Sequence, residues 1–194
     1  MKFKIFKFSK VTSTNDKAIN LITKKNKISG CVYASMQTKG RGTHGKKWIS
    51  KKGNFFSSIF FPLKMSYPTF DEFSTINPII ICDIIKKFYK KKNLSLKFPN
   101  DILINGKKIC GILQEVITLK DRKFLIIGIG LNVVSSPNLK KKYLATNILY
   151  ETKIKPEIKE IINQLTHSYE NFFLDLESYD YSSFKKKAKM LASN

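Results

Sequence analysis

Acid is scarce in this chain of 194 residues. Fourteen Asp and Glu stand against 36 Lys and Arg, for a formal net charge of +22 at pH 7. Arginine is scarcer still, with Arg41 and Arg122 as the only two. A positive excess of this size draws nucleic acid or acidic surfaces through counterion release. Proteins that grip phosphate, however, favour the planar guanidinium fork. An excess built almost wholly of Lys therefore reads as a solvated basic surface. No apolar run approaches the ~18 residues of a membrane span; stretches such as Ile79–Cys82 and Leu125–Ile127 are core-sized. The N-terminus has no continuous apolar segment and no small-residue cleavage site, which argues against a signal peptide. Cys31, Cys82 and Cys110 are odd in number and lack CxxC spacing. That excludes a disulfide framework and a zinc cluster, and predicts reduced, buried thiols in a cytoplasmic protein. Neither Ser/His/Asp spacing nor a Cys/His pair points to a nucleophilic triad.

Hydrophobic residues make up 42%, enough for one packed domain over residues 1–194 with no linker inside it. Lys2–Phe8 alternates with period two and predicts a strand. Thr12–Asn15 has helix-capping residues, and Ala18, Ile19, Leu21 and Ile22 supply an apolar stripe behind it. Strands are predicted at Cys31–Met36, Asn54–Phe61, Leu94–Phe98, Ile102–Ile104, Lys108–Ile117 and Phe124–Val134. Asn105-Gly106 is a two-residue hairpin signal. Thr69–Lys92 predicts a helix of about six turns, with Pro78 near its first turn, where proline is tolerated. From Leu139 onward the pattern is helical, with Ile158, Ile161, Ile162 and Leu165 at helical spacing. Hairpin succession flanked by helices implies an α+β fold with a mixed, largely antiparallel sheet.

Four segments carry chemistry. Gly40-Arg41-Gly42-Thr43-His44-Gly45 matches GxGxxG, but no helix opens at the third glycine and no acid follows until Asp71, so a dinucleotide fold is excluded. The loop retains the means to hold an anion: glycines that let backbone amides approach, and an arginine in a lysine-rich chain. From Lys17 to Phe70 there are eleven Lys and Arg and no acid, which suits a phosphate-bearing ligand. Lys97-Phe98-Pro99-Asn100-Asp101 ends a strand in a turn presenting an amide and a carboxylate. Asp101 is a candidate for holding magnesium or steering an amine nucleophile. In Lys107–Glu115, alternation puts Lys108, Cys110, Ile112 and Gln114 on one face, and Gly111 implies close approach of a ligand or backbone. Gly128-Ile129-Gly130-Leu131-Asn132 has the same shaved-down character. Trp48 anchors its loop or stacks on a base.

Taken in order, Ser13-Thr14-Asn15, Gln37-Thr38-Lys39-Gly40-Arg41-Gly42-x-x-Gly45-x-x-Trp48, Lys97–Asp101, Lys107-Lys108-x-x-Gly111-Ile112-Leu113-x-Glu115 and Gly128-x-Gly130-Leu131-Asn132 resemble biotin–protein ligases. The resemblance runs from about residue 3 to residue 134. It implies the catalytic fold shared with class II aminoacyl-tRNA synthetases, without an N-terminal helix-turn-helix domain and with the C-terminal β-barrel absent or minimal. It implies that biotin and ATP, with magnesium and no tightly bound cofactor, form biotinyl-5′-AMP. Biotin then passes to one lysine of a biotin carboxyl carrier domain, such as that of acetyl-CoA carboxylase. Residues matching Thr14, Gln37 and Ser58 would bind the ureido ring, and Gly111 and Leu113 would line the apolar tail. Ser13, Asn15, Gly40, Gly42, Thr43, Trp48, Asn100, Gly128, Gly130 and Asn132 complete the expected binding set. Lys108, Arg41 and Asp101 are the expected catalytic residues, with Asp101 toward magnesium. Many family members carry Arg at the position of Thr43, where it helps hold the adenylate. No membrane and no specific DNA is expected as a partner, and a homodimer is left open. The alternatives are a lipoate or octanoate ligase or transferase of the same superfamily, and a basic nucleic-acid-binding protein. The latter lacks any helix-turn-helix, zinc or RRM signature.

Overall fold

The computed structural model describes residues 1–90, 93–137 and 144–192. Seven strands form one sheet: β1 (Ile5–Phe8), β2 (Gly30–Ala34), β3 (Phe55–Pro62), β4 (Leu94–Lys97), β5 (Asp101–Ile104), β6 (Lys107–Leu119) and β7 (Arg122–Leu131). Their order is β1-β2-β3-β7-β6-β5-β4. Only the β1–β2 pair is parallel, and the helix α1 (Thr14–Lys25) makes that crossover. The expected α+β fold with a mixed, largely antiparallel sheet is therefore present.

Local chemistry explains most boundaries. Ser13 caps α1 by accepting from the Asp16 N–H. The helix ends at Asn26, whose left-handed backbone (φ 50°) closes it. Asn105 and Gly106, at φ 52° and 70°, make the predicted two-residue turn between β5 and β6. Helix α2 (Phe70–Phe88) opens with a capping box between Thr69 and Glu72. Pro78 lies in its interior, not near its first turn as the sequence suggested. Proline there has no N–H to donate back along the helix. The loss is tolerated because α2 buries ten residues, Pro78 among them. Positions 91–92 of the expected helix and Leu139–Tyr143 of the expected helical tail lie outside the described residues. Beyond them come an extended piece at 144–147 and helices α3 (Ile148–Thr152), α4 (Ile158–Leu174) and α5 (Tyr181–Leu191). No helix among the described residues is long and apolar enough to cross a membrane.

The two faces of the sheet have different jobs. Leu125, Ile127, Ile129 and Leu131 of β7 join Ile59, Phe61, Phe73, Ile161 and Leu165 in the main core beneath α2 and α4. The alternate residues of β7 run Phe124, Ile126, Gly128, Gly130. The first two pack with Ala18, Leu21 and Ile22 of α1, and the row then turns to glycine just where α1 begins. Asn77 ties the core face together: its Nδ2 donates to Gln114 on β6 at 2.7 Å, and Tyr169 Oη on α4 donates to its Oδ1 at 2.8 Å. The three cysteines are free and buried, as expected, and burial pushes the Cys31 thiol up to about 12. Asn77→Ala should cost about 1–3 kcal/mol in urea unfolding, because it leaves the buried Tyr169 hydroxyl without its acceptor. An unchanged midpoint would contradict that role.

Candidate active site

Strand register builds the floor of the site. Phe56, Gly130, Gly111 and Asp101 lie in one cross-strand row, and Ser58, Gly128 and Leu113 in the next. Where a Cβ would stand at Gly111, the Trp48 indole lies instead, 2.6 Å from that point, and it presses as closely on Gly130. At Gly128 the same space is filled by the Asn15 carboxamide. The glycines therefore make room as expected, but for the protein's own side chains.

A β-bulge sets the position of Lys108. The register between β5 and β6 shifts after Ile102, which pairs with Cys110, while Leu103 pairs with Lys108. Ile109 and Cys110 consequently both enter the main core. Simple alternation would have put Lys108 on the face of Cys110 and Gln114. The bulge moves it to the face of Gly111 and Leu113, a correction with a direct functional consequence. Lys108 Nζ pairs with Asp101 Oδ1 at 2.6 Å and lies 5.3 Å from the centre of the Trp48 ring. The extended piece at 144–147 runs alongside as well, with a bridge between Ala145 and Lys108.

The Gly40–Gly45 loop is a small hairpin. Gly42 N–H donates to the Lys46 carbonyl at 2.7 Å and Trp48 N–H to the Gly40 carbonyl at 2.9 Å. Its tip, Thr43–Gly45, is a 3-10 turn with His44 in the left-handed region at φ 54°. Gln37 at its root accepts from Thr14 N–H at 2.8 Å and donates to Ser50 at 3.0 Å. The Arg41 fork, expected to meet an anion, is engaged within the protein. It donates to Glu115 at 2.7 and 2.8 Å and to Asp16 at 2.8 Å. Hydrogen bonding to Glu115 raises its pKa above the ordinary value despite partial burial. The acid-free stretch is thus met by carboxylates from outside it.

These elements enclose a cavity of about 360 Å³. Of the expected residues, Ser13, Thr14, Asn15, Gln37, Arg41, Gly42, Thr43, Trp48, Asn100, Asp101, Lys108, Gly111, Leu113, Gly128, Gly130 and Asn132 line it. Gly40 and Ser58 do not; they stand behind the wall. A Cβ at Gly40 would lie 2.6 Å from the Trp48 carbonyl oxygen, and the fully buried Ser58 donates to Asn15 Oδ1 at 2.5 Å. Sequence reasoning missed Pro137 and Ala145, which carry no local signal. It quoted Glu115 only as part of a motif, although alternation from Gly111 and Leu113 places it on the pocket face. Among the described residues, the buried donor Trp48 Nε1 and the buried acceptor Asn132 Oδ1, both on residues of the lining, have no hydrogen-bond partner. Such an atom costs about 1–3 kcal/mol unless a ligand or water satisfies it. No group of three or more His, Cys, Asp and Glu that could hold a metal is present among the described residues.

The profile of the biotin/lipoate A/B protein ligase family matches residues 5–132. The chain belongs to this family. Among curated family members, the bifunctional ligase/repressor BirA of Bacillus subtilis is 29% identical over 181 residues, which is 90% of this chain and 55% of that protein. Biotin–protein ligase 2 of Arabidopsis thaliana is 31% identical over 177 residues, or 84% and 50% of the two chains. The chain spans about half the length of these curated relatives. The biotin protein ligase of Aquifex aeolicus in complex with biotin and ATP superposes with a TM-score of 0.81 at 25% identity, covering 97% of this chain and 78% of that one. The Leishmania major enzyme with biotinyl-5-AMP gives 0.82 at 24% identity, covering 98% and 81%, and shows the shared fold.

Because the indole occupies the glycine floor, Gly130→Ala should lift Trp48 off it. The expected result is a red-shifted tryptophan emission from the ligand-free protein. An unchanged spectrum would show that the indole does not rest there in solution.

Proposed function

We propose that this chain is an ATP-dependent biotin–protein ligase. In the first step the biotin carboxylate attacks the α-phosphate of ATP, pyrophosphate leaves, and biotinyl-5′-AMP forms. In the second, the ε-amine of one lysine on a biotin carboxyl carrier domain attacks the acyl carbon. AMP then leaves and an amide forms.

One observation carries the proposal. Lys108, turned into the pocket by a bulge and held by Asp101, stands at one end of a glycine floor. The amide and hydroxyl groups of Asn15, Thr14 and Gln37 stand toward the other. Lys108 and Leu113, whose carbonyl accepts from Asn15 at 3.3 Å, stand five positions apart on β6, one of which the bulge takes up. At ~3.3 Å per residue the four remaining steps span roughly 13 Å, long enough for an acid with a polar ring at one end and a phosphate at the other. A urea-like ring needs donors and acceptors together, as Asn15, Thr14 and Gln37 offer. Lipoate carries no such ring, so this end favours biotin. Lys108 is suited to draw the carboxylate and α-phosphate together and to offset the charge that builds between them. The Gly40–Gly45 loop and Trp48 keep water from a mixed anhydride that would hydrolyse.

Magnesium accompanies ATP in such reactions and takes hard oxygen ligands, commonly one or two from protein beside phosphate oxygens. The Asp101 carboxylate and Asn132 Oδ1, which has no hydrogen-bond partner among the described residues, are such oxygens on residues that line the cavity. The ion would supply screening of phosphate charge.

Lys108→Ala should lower biotin-dependent pyrophosphate release by about a hundredfold or more, the usual scale when a charged group is removed from a reacting centre. Release at the wild-type rate would sink the assignment. At the loop tip, Thr43→Arg should add a charge-assisted hydrogen bond to the adenylate, worth roughly 1.5–3 kcal/mol. Dissociation of preformed biotinyl-5′-AMP should then slow by about one to two orders of magnitude. Equal release from wild type, Thr43→Arg and a Lys46→Ala/Lys47→Ala variant would show that this loop does not clamp the phosphate.

A further inference from the structure

Glu115 lies one row beyond Leu113 on β6, opposite Ile126. Its side chain is 25% exposed, and its carboxylate accepts three hydrogen bonds. Arg41 Nη1 donates to Oε1 at 2.7 Å and Nη2 to Oε2 at 2.8 Å, a two-pronged pair. Asn15 Nδ2 donates to Oε2 at 2.6 Å. One carboxylate thus holds a residue of the Gly-rich loop and a residue of the pocket wall at once. An exposed ion pair alone contributes little. A bidentate pair sharing its acceptor with a third donor is different, because it fixes geometry.

Two consequences follow from the bonding pattern. Because Nδ2 of Asn15 is directed at Glu115, Oδ1 faces Ser58 and receives its proton. Without the carboxylate, Nδ2 keeps only its longer bond to the Leu113 carbonyl at 3.3 Å, and the preference for this orientation of the amide weakens. Arg41 also forms the bridge to Lys47, next to Trp48. Releasing its guanidinium frees the hairpin that keeps the indole on Gly111 and Gly130.

We propose that Glu115 is a positioning residue that couples closure of the Gly40–Gly45 loop, through Arg41, to the orientation of Asn15 at the polar end of the pocket. Arg41 acts in this scheme as a latch. The coupling is a property of the ligand-free chain; its effect on biotin rests on the function proposed above.

Trp48 is the only tryptophan, so acrylamide quenching of the full chain reads loop closure without any substrate. Glu115→Gln and Arg41→Gln should each raise the quenching constant about threefold as the open loop becomes populated. The double variant should do no more than Arg41→Gln alone, which already lacks the shared pair as well as the Asp16 contact. In steady-state assays of Glu115→Gln the KM for biotin should rise about tenfold with kcat within about threefold, the pattern of weakened ground-state binding. If Glu115→Gln does not fold, as read by circular dichroism, Arg41→Gln carries the same test from the surface side. A still-shielded indole in the single variants, or effects that add in the double, would overturn the proposal. Expected quenching in a wild-type protein that ignores biotin would uphold the coupling and refute the biotin reading.

Discussion

An indole and a carboxamide can lie directly against the sheet only because Gly111, Gly128 and Gly130 carry no Cβ. Any side chain at these points would displace Trp48 or Asn15, and with them the loop and the helix start to which they belong. The rows that contain these glycines are fixed by β3, β7 and β6, which the main core holds from the opposite face. The site is therefore placed by register, and register is strongly specified because one face of the sheet is buried. A slip of one residue in β7 would put Leu125 and Ile127 under α1 and turn Gly128 and Gly130 toward α2.

Charge has a different distribution in the site from that on the surface. The chain carries a large positive excess, yet the two cations whose partners are described at the pocket, Arg41 and Lys108, are each matched by acids. Three of the fourteen acids, Asp16, Asp101 and Glu115, stand there. Pairing keeps two side chains in single positions that unpaired cations in a basic protein would not hold. For Lys108 the position matters for chemistry, and for Arg41 it matters for the shape of the loop.

Local signals in the sequence carried far, and their failures are physical. The Ser13 cap, the Asn105-Gly106 turn and the apolar runs of β3 and β7 depend on neighbours in the chain, so they were legible. Pro78 was misplaced because helix-breaking propensity is overridden when a helix is buried on a long face. The face of Lys108 was misassigned because a bulge is a tertiary irregularity, and Ile109 looks locally like any other strand residue. Most of the motif residues line the cavity. What their spacing could not reveal was partnership. Arg41 was assigned to a phosphate on residue type alone, while Asp16 and Glu115 reach it from distant points in the chain. Ala145 and Pro137 have no pattern to betray them, since an extended piece beside β6 is placed by the fold alone.

Chain membership in the biotin/lipoate ligase family leaves the transferred acid and the acceptor as the central claim. The most direct test is intact-mass spectrometry of a biotin carboxyl carrier domain incubated with the chain and magnesium. It would be run with biotin or lipoate, and with or without ATP. The account expects one biotin-sized mass increase on one lysine, only when ATP is present, and none with lipoate. A lipoate-sized increase, or a biotin adduct that forms without ATP, would contradict it.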